Sequence, residues 1–280
     1  MKSRKLSLFL LPAMLVAGNI DLSIKNNNGQ SSYIVNSNNT QNLKSKLIFP
    51  FNYNTIDIAY QHPFKYFKLG FYSSFLINSR IRNGEDYDWQ NNNLTVYSKS
   101  DNTIDKYNNV GLVLTKNVFK NIDIFTKFNY QNLDMHWVNT DQKDYVKNKN
   151  EYISKNTLKF QQEFYIYSLG IKYQKYIFKK VFFELTPLLN YSYINTKDMH
   201  ILRDFYTIQN ANAFGYEINC KLSYNITIKS KLKISLNYIY IEDQNVGMTY
   251  YNNLNEKYAS YPSSYTYKNT IIGIHYDYNF

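Results

Sequence analysis

VFFELTPLLNYSYINTKDMH, residues Val181–His200, alternates with a period of two. Phe183, Leu185, Pro187, Leu189, Tyr191 and Tyr193 are apolar or aromatic, whereas Glu184, Thr186, Asn190, Ser192 and Thr196 are polar. Successive side chains of a strand point to opposite faces, so the pattern predicts one long strand with a greasy face and a wet face. The wet phase runs on into Asp198 and His200. Two residues apart on one face, a carboxylate and an imidazole stand about 7 Å apart along the backbone, close enough to flank one water or one substrate group.

The same alternation recurs outward from this stretch. In 214–228 the apolar phase is Phe214, Tyr216, Ile218, Cys220, Leu222, Tyr224, Ile226 and Ile228, with Glu217, Asn219 and Lys221 among the residues between them. In 266–280, Ile272, Ile274, Tyr276, Tyr278 and Phe280 alternate with Gly273, His275, Asp277 and Asn279. A last strand closing on an aromatic, with aromatics two and four residues earlier, resembles the sorting signal of bacterial outer-membrane barrels. Ten strands are predicted: 20–33, 43–60, 67–82, 104–116, 121–137, 158–176, 181–196, 214–228, 232–241 and 265–280. Short links (62–66, 117–120, 177–180, 229–231) alternate with long ones (83–103, 139–157, 197–213, 242–264). Short turns on one rim and long loops on the other predict an all-β, ten-stranded antiparallel up-and-down transmembrane β-barrel with long extracellular loops. An even strand number puts both chain ends on the short-turn rim. Closure is required, because an open edge in hydrocarbon leaves unpaired amides costing several kcal/mol each.

The bulk properties agree with export. Residues 1–18 hold Lys2, Arg4 and Lys5, then an apolar run, then small residues; this predicts a secretory signal peptide cleaved after Ala17 or Gly18, with 19–280 as the barrel. After it, no apolar stretch reaches the ~18 residues of a membrane helix. The 280 residues include 30 Tyr and 18 Phe but only 9 Gly, with a mean hydropathy of −0.50, which fits neither an ordinary soluble core nor a disordered polymer. A single cysteine excludes an internal disulfide and a thiolate metal cluster. The net charge of +11 is spread along turns and loops rather than clustered, so a nucleic-acid partner is not expected; anionic outer-membrane lipid and lipopolysaccharide phosphates are. His62, His136 and His275 form no metal-ligand spacing.

Two polar clusters stand at the ends of strands running toward the long-loop rim: 83–89, with Glu85, Asp86, Tyr87, Asp88 and Trp89, and 197–200, with Asp198 and His200. Extending the parity of Tyr72, Ser74, Asn78 and Arg80 puts Asp86 and Asp88 on the lumen side, facing Asp198 and His200 across a cleft. An Asp-x-Asp-Trp (Asp86, Asp88, Trp89) followed by an Asp-x-His (Asp198, His200) resembles the omptins, outer-membrane aspartyl proteases of Gram-negative bacteria. The ten-strand layout agrees over most of the mature chain, and Ser98, Thr103, Tyr107 and Asn109 keep their places.

The resemblance implies peptide hydrolysis by activated water. His200, oriented by Asp198, would take the proton, and Asp86 and Asp88 would bind the water and stabilise the tetrahedral intermediate. It implies polypeptide substrates, no metal and no cofactor beyond lipopolysaccharide as an activating lipid, an outer-membrane location with the site facing outside, and a monomer. Omptins that cut beside basic residues hold the cation with two acids; Tyr33 and Thr196 occupy those positions here, and neither pairs with a guanidinium. Glu85 is the remaining candidate for that contact. The competing reading is a non-enzymatic barrel, a narrow channel or an adhesin, on the same scaffold.

Overall fold

A computed structural model describes residues 18–37 and 42–280; the predicted signal peptide, residues 1–18, lies outside the described residues except for Gly18. The strands are β1 (Asn19–Ser37), β2 (Leu43–Pro63), β3 (Lys68–Arg80), β4 (Arg82–Gln90), β5 (Asn93–Phe119), β6 (Ile122–Asp144), β7 (Lys149–Ile153), β8 (Leu158–Phe178), β9 (Val181–His200), β10 (Phe205–Asn225), β11 (Ser230–Asn252) and β12 (Lys257–Asn279). All pairings are antiparallel, and β1 pairs with both β2 and β12, which closes the sheet. The ring has ten staves. β4 continues the stave begun by β3, pairing with the same neighbours β2 and β5, and β7 is a short return added to the far end of β6. The chain ends meet at what is here called the terminal rim, where the Phe280 amide donates to the Gly18 carbonyl at 3.0 Å. The opposite rim is called distal.

The long loops of the sequence reading are mostly strand. Most of 83–103, 139–153 and 197–212 is paired β-structure, and the described distal turns shrink to 91–92, 145–148, 201–204 and 253–256, with 154–157 joining β7 to β8. Asparagine makes these tight reversals possible: Asn91 and Asn92 both have positive φ, as do Asn121, Asn148, Asp204 and Asn255, all at turns. Asn and Asp tolerate the left-handed region better than other side-chain-bearing residues.

Leu22, Ile24, Ile56, Ile58, Leu112, Leu169, Leu189, Ile218, Leu236 and Ile274 point outward and are exposed, forming a belt around the barrel that a bilayer would cover. Above and below it lie outward aromatics, for example Tyr130, Tyr165 and Tyr193 on the distal side and Tyr173, Tyr224 and Tyr276 on the terminal side. Cys220 is half-buried between the outward Ile218 and Leu222.

The inward face is charged and open in its terminal half. There Lys25 pairs with Asp57 at 2.6 Å, Lys172 with Asp123 at 3.1 Å, Lys127 with Glu217, and Lys233 with both Asp21 and Asp277, around a cavity of about 620 Å³. In the distal half the inward residues of β2 are Leu47, Phe49, Phe51 and Tyr53, and they pack with Leu133, Met135, Trp137, Phe160, Phe164, Ile194, Tyr265 and Tyr267 into a core. Phe49 and Phe160 stack at 4.0 Å, and Phe51 and Tyr267 at 5.7 Å. Among the described residues this aromatic layer separates the two halves of the lumen.

Candidate active site

Four side chains converge above the aromatic layer. On β4, Asp86 lies opposite the inward Leu47 of β2 and Ser98 of β5, and Asp88 opposite Ser45. On β9, Asp198 lies between Phe160 of β8 and Thr207 of β10, and His200 between Leu158 and Phe205. The predicted face is correct, but its path is not the one extrapolated. Asn78 and Arg80 face outward, not into the lumen, because a bulge in β3 shifts the register between Asn54 and Thr55 of β2. Asn78 accepts a hydrogen bond from the outward Asn54 at 2.8 Å. The break at Ile81 between β3 and β4 shifts the phase a second time and returns Asp86 and Asp88 to the inside.

His200 Nε2 lies 3.5 Å from Asp198 Oδ2, and the Tyr33 hydroxyl donates to that same oxygen. The imidazole is sandwiched against Phe205, ring centroids 4.2 Å apart at 19°. Among the described residues, no hydrogen-bond partner meets its other ring nitrogen. Asp198 is 1% exposed, and its Oδ1, like Asp86 Oδ1, is sealed from solvent without a donor. Buried carboxylate oxygens seldom go unpaired, so these two acceptors are where a water or a substrate N–H fits best.

Asp86 is charge-coupled to the other three. Burial pushes its carboxyl up, Asp88 beside it pushes further, and Asp198 adds a smaller push, while His200 and Arg203 pull down; the balance is about 7. Asp86 is therefore partly protonated near neutral pH.

The floor beneath is Tyr33, Phe49, Phe160 and Trp137: Tyr33 lies 6.0 Å from both phenylalanine rings, and Trp137 4.9 Å from Phe49. Gly84, two residues before Asp86 on the same face, is needed here because an added Cβ would overlap the Trp137 indole. The three residues read as substrate contacts are elsewhere. Tyr33 is buried with its hydroxyl turned to Asp198, and Thr196 is 2% exposed, one step below Asp198. Glu85 points outward, accepting from the Tyr87 hydroxyl at 3.0 Å. None of the three offers a free acid to the cleft.

Sequence reasoning missed Phe205, Tyr250 and Arg203. Phe205 carries His200, and Tyr250 stands 5.8 Å from Phe205 and 5.4 Å from Tyr261. Burial and then the charge of Asp198 hold the Tyr250 phenol protonated. The signal was present for Phe205: reading β9 through the turn at 201–204 pairs it with His200.

No protein-family model and no curated protein matches this chain. Among solved structures it superimposes on the outer membrane protease OmpT from Escherichia coli with a TM-score of 0.78 at 15% identity, over 95% of this chain and 97% of that one. OprG from Pseudomonas aeruginosa gives 0.45 at 9% identity over 94% and 96%, and the translocator domain of autotransporter NalP from Neisseria meningitidis gives 0.41 at 10% over 94% and 88%. The chain therefore has the fold of an OmpT-like outer-membrane β-barrel.

Proposed function

We propose that this barrel is an omptin-like endopeptidase that hydrolyses polypeptides with water held between Asp86 and Asp88 on one wall and the Asp198–His200 dyad on the other. The observation that supports the reading is that Asp86 and Asp88 on β4 and Asp198 and His200 on β9 share the inward face, with a buried oxygen of Asp86 and of Asp198 left without a donor. His200 uses its unengaged nitrogen to take a proton from the water, and Asp198 holds the ring and balances the imidazolium. The resulting hydroxide attacks the scissile carbonyl. The protonated member of the Asp86–Asp88 pair donates a hydrogen bond to the developing oxyanion, and the imidazolium returns its proton to the leaving amine.

On this reading the site faces outside the cell, the barrel works as a monomer in outer-membrane lipid, and lipopolysaccharide activates it. With none of Tyr33, Thr196 and Glu85 offering an acid to the substrate, and Phe205, Tyr250 and Tyr261 along one side, cleavage beside apolar or aromatic residues is expected rather than beside basic ones. The competing channel reading runs against the aromatic layer that fills the lumen. The test is to refold the chain with lipopolysaccharide and offer a peptide library to wild type, His200→Ala and Asp86→Ala. Turnover in wild type with loss in both variants is expected; equal turnover in all three, or none in any, overturns the proposal.

A further inference from the structure

Tyr33 lies near the distal end of β1 and Asp198 near the distal end of β9, and the two meet across 165 residues of sequence in a buried hydrogen bond. Tyr33 is 2% exposed and fixed by Phe49 and Phe160, each 6.0 Å away. Its hydroxyl donates to Asp198 Oδ2, the oxygen that also faces His200 Nε2 at 3.5 Å. No other described side chain donates to that carboxylate, whose Oδ1 is unpaired.

We infer that Tyr33 is a positioning residue for the dyad: it holds the Asp198 carboxylate in place and shares its charge, and so governs how strongly His200 binds a proton. The inference rests on the proposed roles of Asp198 and His200. The physical grounds are threefold. A charge-assisted O–H···O⁻ bond fixes the carboxylate more firmly than packing alone. A buried ring packed against the Phe49–Phe160 stack has little freedom to turn its hydroxyl elsewhere. And a donor on a carboxylate weakens that carboxylate's pull on a neighbouring imidazolium, as outer partners do around ligand and catalytic histidines. Burial, followed by the nearby Asp198 charge, keeps the Tyr33 phenol protonated, so it remains a donor throughout the working pH range. Tyr33 therefore serves the base rather than the substrate.

The experiment follows the imidazole itself. The protein is refolded in detergent micelles with labelled histidine, and the ring signal that disappears in His200→Ala is titrated by NMR in wild type, Tyr33→Phe and Tyr265→Phe. Tyr265 is the control for a lost buried phenol, since its hydroxyl meets Gln162 at 3.4 Å and not the dyad. In Tyr33→Phe the midpoint is expected to move up, by about three- to tenfold in proton affinity, and the acid limb of kcat/KM to move the same way. In Tyr265→Phe neither moves. An unchanged midpoint in folded Tyr33→Phe, or an equal shift in Tyr265→Phe, overturns the inference. The titration needs no peptide, so a barrel without turnover removes the proposed function while leaving this result readable.

Discussion

At the distal end of the barrel His200 stands 3.5 Å from Asp198; at the terminal end His275 stands 2.9 Å from Asp21 and 2.8 Å from Ser235. Residue types alone would favour the second group, which has the aspartate, histidine and serine of a hydrolase. Its surroundings say otherwise. Both nitrogens of His275 are engaged, the ring is 5% exposed, and Lys233 neutralises Asp21 and Asp277 beside it. His200 keeps one nitrogen unengaged, and its neighbours Asp86 and Asp198 each present an oxygen with no partner. The difference teaches that satisfied polar groups hold a barrel together, whereas unsatisfied ones above a rigid floor are equipped for chemistry.

The comparison breaks most easily at the two histidines. His200→Ala is expected to lower kcat/KM by roughly 10³-fold, while His275→Ala leaves the rate unchanged; comparable losses in both would remove the distinction. Next come the two kinds of support. Phe160→Ala opens a hole in the distal floor and is expected to cost about 3–5 kcal/mol, measured by urea unfolding in micelles, and to reduce turnover because Phe160 lies directly opposite Asp198. Lys233→Met strands two aspartates and is expected to cost about 3 kcal/mol with turnover intact.

The smallest effect concerns pH. Asp86 binds its proton more tightly folded than unfolded, so stability falls as pH rises from about 4, where the unfolded carboxyl ionises, to about 7, where the folded one does. Asp86→Asn lacks that penalty. Its urea midpoint should exceed that of wild type at pH 7, and the advantage should vanish near pH 4. An advantage independent of pH would mean that Asp86 is not held protonated.

The barrel was legible because Phe183 to Tyr193 and Ile272 to Phe280 alternate against lipid, where the two faces differ most in polarity. Beyond the membrane that contrast fades. Lys44, Lys46, Tyr87 and Tyr97 face out on strands whose outer side is as polar as a loop, so 83–103 read as irregular while pairing as strand. The inward face of Asp198 and His200 was legible through the parity of β9, whereas Asp86 and Asp88 reach that face only because the bulge in β3 and the break at Ile81 cancel. Asn78 and Arg80 were misread because a bulge leaves no trace in alternation. Glu85 need not have been: one residue from Asp86, it had to take the opposite face. The contact of Tyr33 with Asp198 was invisible, since it depends on how far the strands lean around the barrel, which sequence does not encode locally.

The seam between β1 and β12 joins Asn19 to Asn279 and Val35 to Ser263. Each neighbouring hairpin can zip from its own turn, but this one ladder has no turn to start from and must wait for remote segments to find each other. Until they do, two unpaired edges face the surrounding lipid at a cost no side chain can offset. Sealing the seam is therefore expected to be the late, slow step in making the protein. Because Tyr33 rides on β1, the hydrogen bond that steadies the dyad is among the last to form, and a barrel left unsealed would be an inactive one.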